Sequence, residues 1–435
     1  GLDVAPGSPD ALTFGLFHTN RLVVRRPPGA EARRVALFEG GAAASIRLDA
    51  LGYSLSHDGR FLAVAAHQFP PGPGFSNGVF LVDLDTGAFR RVATNLLTDV
   101  PSGRPRAAHP VLSGDGGTVF LEARTDTNAP TAVHAWDAAK GTTTLISTNE
   151  FAGAPHGTLA AVNTFGAGGF VAYLARTPRG PADTNDPPWN LYVQRRPGGE
   201  TQLYSGALDG SPTEGNDFPA ASFDAIGDTL LFQSRADTIA ADDRNGAHDV
   251  FAHHWDDGYL MLASGRHPDR PAATLAGRTL PAGPHSLGAD GRFVLLRTAT
   301  PLPGITDTNG VEDLLVRDLV AGTNLVVTVN AAGTATAAGA ALDGALSRDG
   351  RFVAWASAAP DVTAEGSGGR LQVFVRDLAA GVTRLASRKT DGGPGGGASR
   401  RPTLTPDGGL VAFESDAGLA SGAGSTLAVY VWERA

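Results

Sequence analysis

The sequence contains no cysteine, one methionine and no apolar run of the length that crosses a bilayer. Without cysteine there is no disulfide framework, no Cys-ligated zinc or iron–sulfur site and no thiol nucleophile. Without about 18 consecutive apolar residues no membrane-spanning helix is predicted. Lysine is nearly absent as well, and the 35 basic residues are scattered in a chain of net charge −9. This argues against electrostatic binding to nucleic acid or to an anionic membrane.

Turn-forming residues are abundant instead, with 57 glycines and 29 prolines among 435 residues. The hydrophobic fraction of 42% is too high for a disordered chain. An Asp-Gly pair followed by a hydrophobic strand recurs at Asp58-Gly59, Asp115-Gly116, Asp290-Gly291, Asp349-Gly350 and Asp407-Gly408. Three of the intervals are 57, 59 and 58 residues, and the remaining interval of 175 is about three times as long. Degenerate copies at Gly168-Gly169 and Gly227-Asp228 fill that gap and indicate a repeat of about 58 residues.

Each repeat has the same order of segments. A short strand precedes the Asp-Gly turn, and an alternating strand such as Arg351–Ser357 follows it. A long loop rich in Gly, Pro and Asp leads to a third strand such as Val373–Asp377, which ends in a tight turn with Gly381 before a fourth strand. The period-2 alternation predicts strands, and no sustained 3.6-residue period predicts a helix. Four antiparallel strands per repeat are typical of a β-propeller blade.

We therefore predict an all-β chain that forms a single β-propeller over residues 1–435, built from four-stranded antiparallel blades. Eight blades are favoured, with a three-stranded closing blade and with Leu2–Ala5 as the first strand. Seven blades, with an N-terminal strand completing the last one, are the alternative. The predicted repeat units are 1–52, 53–108, 109–158, 159–217, 218–282, 283–342, 343–400 and 401–435.

The repeat resembles that of the TolB-like (WD-repeat-like) propellers of bacterial exported proteins. The resemblance lies in segments such as Ser347–Ala354, and Asp307–Gly310 followed by Asp313–Asp318, and it extends over essentially the whole chain. It implies the fold and an exported protein, secreted, periplasmic or on the cell surface. A start at Gly1 fits a processed or trimmed chain. It implies no single function, because such repeats serve as scaffolds, as periplasmic binding partners and as enzyme domains. The separate α/β domain of TolB is not visible in this sequence, so we do not carry over the partners of TolB.

The connections within a blade alternate between its two ends. Two of them are tight turns, so the long loops are expected to gather on one face, where recognition usually takes place. The candidate inter-blade loops are residues 40–52, 95–108, 148–158, 264–282, 329–342 and 388–400. The alternative is that these loops only connect strands.

Two loops carry the pattern Asp-x-Asn-Gly-x-x-Asp. The residues are Asp243, Asn245 and Asp249 in one repeat, and Asp307, Asn309 and Asp313 in the next. Oxygen ligands at alternating positions, with Gly at a sharp turn, suit Ca²⁺. The same residues also form Asx-turns, in which the side chains accept backbone N–H groups of their own loop. Both interpretations stand, and Ca²⁺ is the single cofactor that the sequence suggests.

No catalytic motif is visible: there is no His-Glu-x-x-His and no Gly-x-Ser-x-Gly elbow. We therefore predict a non-catalytic binding or scaffold module with a protein or polysaccharide partner. The alternative is a carbohydrate-active enzyme of the polysaccharide lyase type, with its site in the central funnel. Tyr53, His109 and His285 are the type of residue such an enzyme would use.

Overall fold

The computed structural model describes a chain of β-strands, and no helix occurs among the described residues. The described residues are 13–17, 21–25, 33–35, 46–56, 60–68, 78–83, 85–86, 88–96, 110–125, 129–147, 157–162, 169–176, 188–196, 198–213, 221–224, 228–241, 243, 245–255, 258, 260–267, 270–274, 278–283, 285–302, 304–419 and 428–434. The chain forms two compact units. An N-terminal unit spans Asp3–Gly206 with Gly210–Pro212, and a C-terminal unit contains Ala207–Asp209 and Thr213–Ala435.

The N-terminal unit contains four antiparallel sheets, which we number as blades one to four. Blade one is β1 (Thr13–Phe17), β2 (Arg21–Arg25) and β3 (Arg33–Val35). Blade two is β4 (Ile46–Leu55), β5 (Phe61–Gln68), β6 (Gly78–Asp83) and β7 (Phe89–Arg91). Blade three is β8 (Val111–Leu112), β9 (Thr118–Ala123), β10 (Ala132–Asp137) and β11 (Thr143–Leu145). Blade four is β12 (Thr158–Val162), β13 (Phe170–Arg176), β14 (Trp189–Arg195) and β15 (Thr201–Leu203).

The C-terminal unit contains blades five to eight and one short hairpin. Blade five is β16 (Ala221–Phe223), β17 (Thr229–Ser234), β18 (Asp249–His254) and β19 (Leu260–Leu262), and the hairpin is β20 (Gly265–His267) with β21 (Arg270–Thr274). Blade six is β22 (Thr279–Pro281), β23 (Phe293–Thr298), β24 (Asp313–Asp318) and β25 (Thr323–Val326). Blade seven is β26 (Ala341–Leu346), β27 (Phe352–Ser357), β28 (Gln372–Asp377) and β29 (Val382–Leu385). Blade eight is β30 (Ser399–Leu404), β31 (Leu410–Ser415) and β32 (Ala428–Glu433).

The predicted fold class and strand order are confirmed. Six sheets have four strands and two have three, and within every sheet neighbouring strands follow one another along the chain. The final sheet has three strands, in agreement with the favoured count of eight blades. The predicted first strand at Leu2–Ala5 lies outside the described residues. Within 264–282, which we expected to be a loop, β20 and β21 form a hairpin whose three-residue and five-residue strands are too short for alternation to reveal.

Neighbouring blades of a unit bury their apolar faces against each other. This is expected for sheets that are covered on both sides and whose strands show little alternation of apolar and polar residues. Strand β27 is buried at all six positions. Trp355 on β27 and Phe374 on β28 pack with Leu295 and Leu314 of blade six in one cluster. Burial of each such side chain contributes about 1.5–3 kcal/mol. The hydrophobic effect therefore holds adjacent blades of a unit together.

The glycines of the Asp-Gly turns that the structure describes pack on the preceding blade. A Cβ atom at Gly350 would overlap the ring of Phe293, and one at Gly408 would lie 2.6 Å from the ring of Phe352. Gly116 stands in the same relation to Phe61 in the N-terminal unit. These glycines also have positive φ angles of 64–73°, a conformation in which Cβ is disfavoured. Turn geometry and packing thus both require glycine.

At the same end of the blade as the Asp-Gly turn, the third strand carries an ion pair with the second strand. In blade six the Arg292 guanidinium donates to Asp318 with distances of 3.0 Å (Nε–Oδ1) and 2.6 Å (Nη2–Oδ2). In blade seven Arg351 pairs with Asp377 at 3.0 and 2.8 Å. The same aspartates accept backbone N–H groups of the following tight turn, at Val320 and Ala321 in blade six. One carboxylate therefore fixes a turn and an adjacent strand together.

Candidate functional site

Long loops of blades six and seven are hydrogen-bonded to one another. The loop between β23 and β24 meets the loop between β25 and β26 where the Thr336 N–H donates to the Thr306 carbonyl at 2.9 Å. Asp361, in the loop between β27 and β28, accepts from Ala331 through its carbonyl at 2.7 Å and from Ala338 through Oδ1 at 2.8 Å. We call residues 304–312, 329–340, 358–371 and 386–398 the loop platform. Because these loops bond across blades, their exposed side chains are held in fixed relative positions.

The third strand of blades four to seven carries a buried polar residue at or next to its start. These residues are Asn190, Asp249, Asp313 and Gln372, and each is 0% exposed. Each accepts a hydrogen bond from a hydroxyl 15 residues further on, in the pairs Ser205–Asn190 (3.0 Å), Ser264–Asp249 (2.6 Å), Thr328–Asp313 (2.6 Å) and Ser387–Gln372 (2.6 Å). The fold accepts a neutral amide here, so the two carboxylates are not required by the architecture.

The Asp-x-Asn-Gly loop of blade six satisfies its own polar groups. Asn309 Nδ2 donates to Asp313 Oδ2 at 3.0 Å and to the Ala337 carbonyl at 2.8 Å, while Asn309 Oδ1 accepts the Val311 N–H at 3.0 Å. Asp307 accepts from the Leu302 N–H at 3.1 Å and from Thr336 Oγ1 at 3.2 Å. The Asn309–Val311 contact is an Asx-turn. Burial raises the pKa of Asp313 to about 6.

The corresponding loop of blade five has fewer internal bonds. Asn245 Oδ1 accepts the Ala247 N–H at 2.7 Å, which repeats the Asx-turn, and Asp237 Oδ1 accepts the Gly246 N–H at 3.0 Å. Asp243 is 1% exposed, and neither of its carboxylate oxygens has a hydrogen-bond partner in the described structure. The Asn245 backbone N–H lowers the pKa of Asp243 and so partly opposes the effect of burial.

The carboxylates of this loop also act on one another. Burial raises the pKa of Asp249 to about 7, with a smaller contribution from the charge of Asp243, while the Ser264 hydrogen bond opposes the rise. Burial, followed by the charge of Asp237, raises the pKa of Asp243 to about 6. Among the residues that the structure describes, no three acidic or histidine side chains are grouped closely enough to form a metal ligand set by themselves.

Two strained residues lie at equivalent positions on the first strands of blades seven and eight. Asp343 has a φ of 52° and Arg401 a φ of 51°, and both are exposed. Each lies in a β-bulge, where the register shifts between Leu342 and Ala345 in β26 and between Arg400 and Thr403 in β30. Bulges redirect side chains, and strained non-glycine residues cluster at functional sites.

The two bulges contact each other. The Arg401 N–H donates to Asp343 Oδ2 at 3.3 Å, and the Arg401 guanidinium lies 3.3 Å from both carboxylate oxygens of Glu414. The Leu346 N–H of β26 donates to the His285 carbonyl of blade six at 2.9 Å. We call His285, Asp343, Arg401 and Glu414 the first-strand arc. The name refers to the first strands β26 and β30, whose contacts link these residues of three consecutive blades.

Of the histidine and tyrosine candidates, His285 lies among the described residues and contacts the first-strand arc through its backbone carbonyl. His109 and the side chain of Tyr53 lie outside the described residues. Sequence reasoning missed the bulge residues, although their separation of 58 residues equals the repeat. It also missed Glu122, a buried carboxylate of β9 that accepts the Leu159 N–H of blade four at 2.8 Å. Burial raises the pKa of Glu122 to about 7.

Comparisons with known proteins give similarity of structure only. No family model and no curated protein matches the sequence. An oligogalacturonate lyase in complex with manganese is similar with a TM-score of 0.47 and 14% identity over 99% of this chain and 98% of that chain. TolB from Acinetobacter baumannii has a TM-score of 0.34 and 13% identity over 85% of this chain and 73% of that one.

A third similar structure is a prolyl endopeptidase, with a TM-score of 0.48 and 13% identity over 95% of this chain. This chain spans 54% of its length. At these values the neighbours assign no activity to this chain. Within the described part of the protein no helix has the length and apolar character needed to cross a membrane.

Proposed function

We propose that the chain is a non-catalytic, exported binding module that recognises a protein or glycan partner through its loop platform. The observation that supports this is the bonding of Asp361 to two residues of the neighbouring inter-blade loop, at 2.7 and 2.8 Å. Long loops that are fixed before binding lose little conformational entropy when a partner docks. A rigid scaffold that presents long loops is the usual setting for recognition.

Site-specific photo-crosslinking tests this proposal. A photoreactive residue at Thr334 or Thr390, both exposed on the loop platform, should capture a partner from the native environment of the protein. The control is Val320, which is 78% exposed in the tight turn between β24 and β25 at the opposite end of the blade. Equal capture from Val320, or capture from none of the three positions together with no signal on a glycan array, would contradict the proposal.

A polysaccharide lyase remains the second candidate, and the first-strand arc favours it. Arg401 is an exposed cation on a strained backbone, and its guanidinium, which lies 3.3 Å from the Glu414 carboxylate, could exchange that partner for the carboxylate of a uronic acid. Lyase cleavage would give an unsaturated, ultraviolet-absorbing product from uronic acid polymers. Arg401→Ala should abolish that product if the arc is catalytic, and an inactive wild-type protein on such polymers leaves the binding module as the function.

A further inference from the structure

The two Asp-x-Asn-Gly loops have the same key residues but different internal bonding. In blade six the two carboxylates receive donors from Leu302, Asn309, Thr328 and Thr336, so no carboxylate oxygen there is buried without a partner. In blade five both carboxylate oxygens of Asp243 are buried without a hydrogen-bond partner in the described structure, whereas Asp249 accepts from Ser264 and is also stabilised by the Asn245 side chain. The loops therefore differ in the one property that decides whether a ligand is needed.

Buried carboxylate oxygens without donors are unfavourable because the charge loses water and gains nothing in return. Asp243 is 1% exposed and Asp249 is 0% exposed, and no cationic side chain pairs with either of them in the described structure. Asp237 adds a third negative charge that acts on both. The architecture does not demand this arrangement, because Asn190 occupies the position of Asp249 in blade four with the same hydroxyl contact.

We infer that the blade-five loop binds one divalent cation, of the Ca²⁺ class, between Asp243 and Asp249. Two carboxylates balance the charge of the ion, and all the donors available are hard oxygens, which Ca²⁺ prefers. Backbone carbonyl oxygens and water would complete the 6–8 ligands that Ca²⁺ takes, so a set of three acidic side chains is not needed. The site is independent of the loop platform and of the function proposed for it.

The blade-six loop does not share this property. Asp307, the counterpart of Asp243, accepts from the Leu302 N–H at 3.1 Å and from Thr336 Oγ1 at 3.2 Å, so protein donors already occupy both of its oxygens. One of the two loops that the sequence marks as calcium sites is thus assigned to the ion, and the other to hydrogen bonds.

Equilibrium dialysis of the full chain against radioactive Ca²⁺ tests the inference. The wild-type protein should bind one Ca²⁺, Asp243→Asn should bind none, and Asp307→Asn, the matched change in blade six, should still bind one. Thermal unfolding with and without a chelator is the second measurement, since a ligand that binds only the folded state raises the melting temperature. Ca²⁺ should raise the melting temperature of the wild-type and Asp307→Asn proteins and leave that of Asp243→Asn unchanged.

Asp249→Asn guards against a folding defect in Asp243→Asn. It places in blade five the residue that blade four already has at this position, and it should fold and lose the ion. A wild-type stoichiometry of zero or two would overturn the inference. So would retention of Ca²⁺ by both Asp243→Asn and Asp249→Asn, or its loss in Asp307→Asn.

Discussion

Strand β24 begins with Asp313 and ends with Asp318, and the two carboxylates have opposite environments. Asp318 receives the Arg292 guanidinium and two backbone N–H groups, so its pKa is lowered, mainly by the Arg292 hydrogen bonds. Asp313 has no cationic partner, and burial raises its pKa to about 6. The same contrast separates Asp377, on the third strand of blade seven, from Asp249, on the third strand of blade five.

The tight-turn ends of the blades therefore carry compensated charges and close packing, whereas the long-loop ends carry buried carboxylates without a cation. Compensated charges with tight packing stabilise the fold. Uncompensated carboxylates cost stability, and perturbed pKa values of this kind cluster at functional sites. This contrast is consistent with the proposal that ligands bind at the long-loop ends.

The largest expected effect comes from exchanging a glycine at each end. Gly350→Ala, at the tight-turn end, should destabilise the protein by about 3 kcal/mol or more, because Cβ meets Phe293 and φ is 71°. Gly333→Ala, in the loop platform, has a similar φ of 69° but nothing within 4 Å of the added Cβ, and should cost about 1 kcal/mol. Denaturant midpoints of the two variants measure the difference. Equal losses would mean that packing at the tight-turn end contributes nothing beyond backbone strain.

The second effect is a pH dependence at the long-loop end. Burial raises the pKa of Glu122 from its ordinary value of 4.5 to about 7 in the folded protein, so folding favours the protonated form. The contribution of Glu122 to the free energy of unfolding is most favourable below about pH 4.5. It decreases as the pH rises to about 7 and does not change further above that pH. Glu122→Gln keeps the acceptor for the Leu159 N–H and should stabilise the protein at pH 8 by about 3 kcal/mol. Melting temperatures of the wild type and the variant at pH 5 and pH 8 check this prediction. The same difference in melting temperature between the two proteins at both pH values would refute it.

The smallest effect has the opposite sign and lies at the tight-turn end. The hydrogen bonds from Arg351 lower the pKa of Asp377 to about 2, so its contribution is present above about pH 4 and is lost as pH falls toward 2. Asp377→Asn should destabilise the protein at pH 7 by about 1 kcal/mol, because Arg351 is half-exposed and solvent screens the pair. The difference between variant and wild type should vanish near pH 2, and Arg351→Met should show the same profile.

The strands and turns could be predicted because they depend on local properties. Alternation and the Asp-Gly spacing report the sheet pattern directly, and Gly350 and Gly381 mark the two turns of one blade. The bulges at Asp343 and Arg401 could not be predicted, since one extra residue in a strand hardly changes its alternation.

The candidate sites depend on contacts between distant segments. Glu122 is buried against the next blade, where it accepts the Leu159 N–H. The side-chain amide of Asn309 donates to the carbonyl of Ala337, 28 residues away. Because the two Asp-x-Asn-Gly loops have the same key residues, the sequence predicts the same possible Ca²⁺ site in both. The segments that surround the two loops differ, and the sequence pattern does not show this.

The contact of an Asp-Gly turn with a phenylalanine ring of the preceding blade limits how such a chain can change its length. Gly350 is matched to Phe293 and Gly408 to Phe352, and each partner belongs to the preceding blade. Loss or duplication of one whole repeat of this kind leaves these glycines against a phenylalanine ring, whereas a partial repeat leaves a ring uncovered or a turn without support. Gains and losses over evolution, and engineered fusions or circular permutants, should therefore tolerate cuts that conserve entire blades.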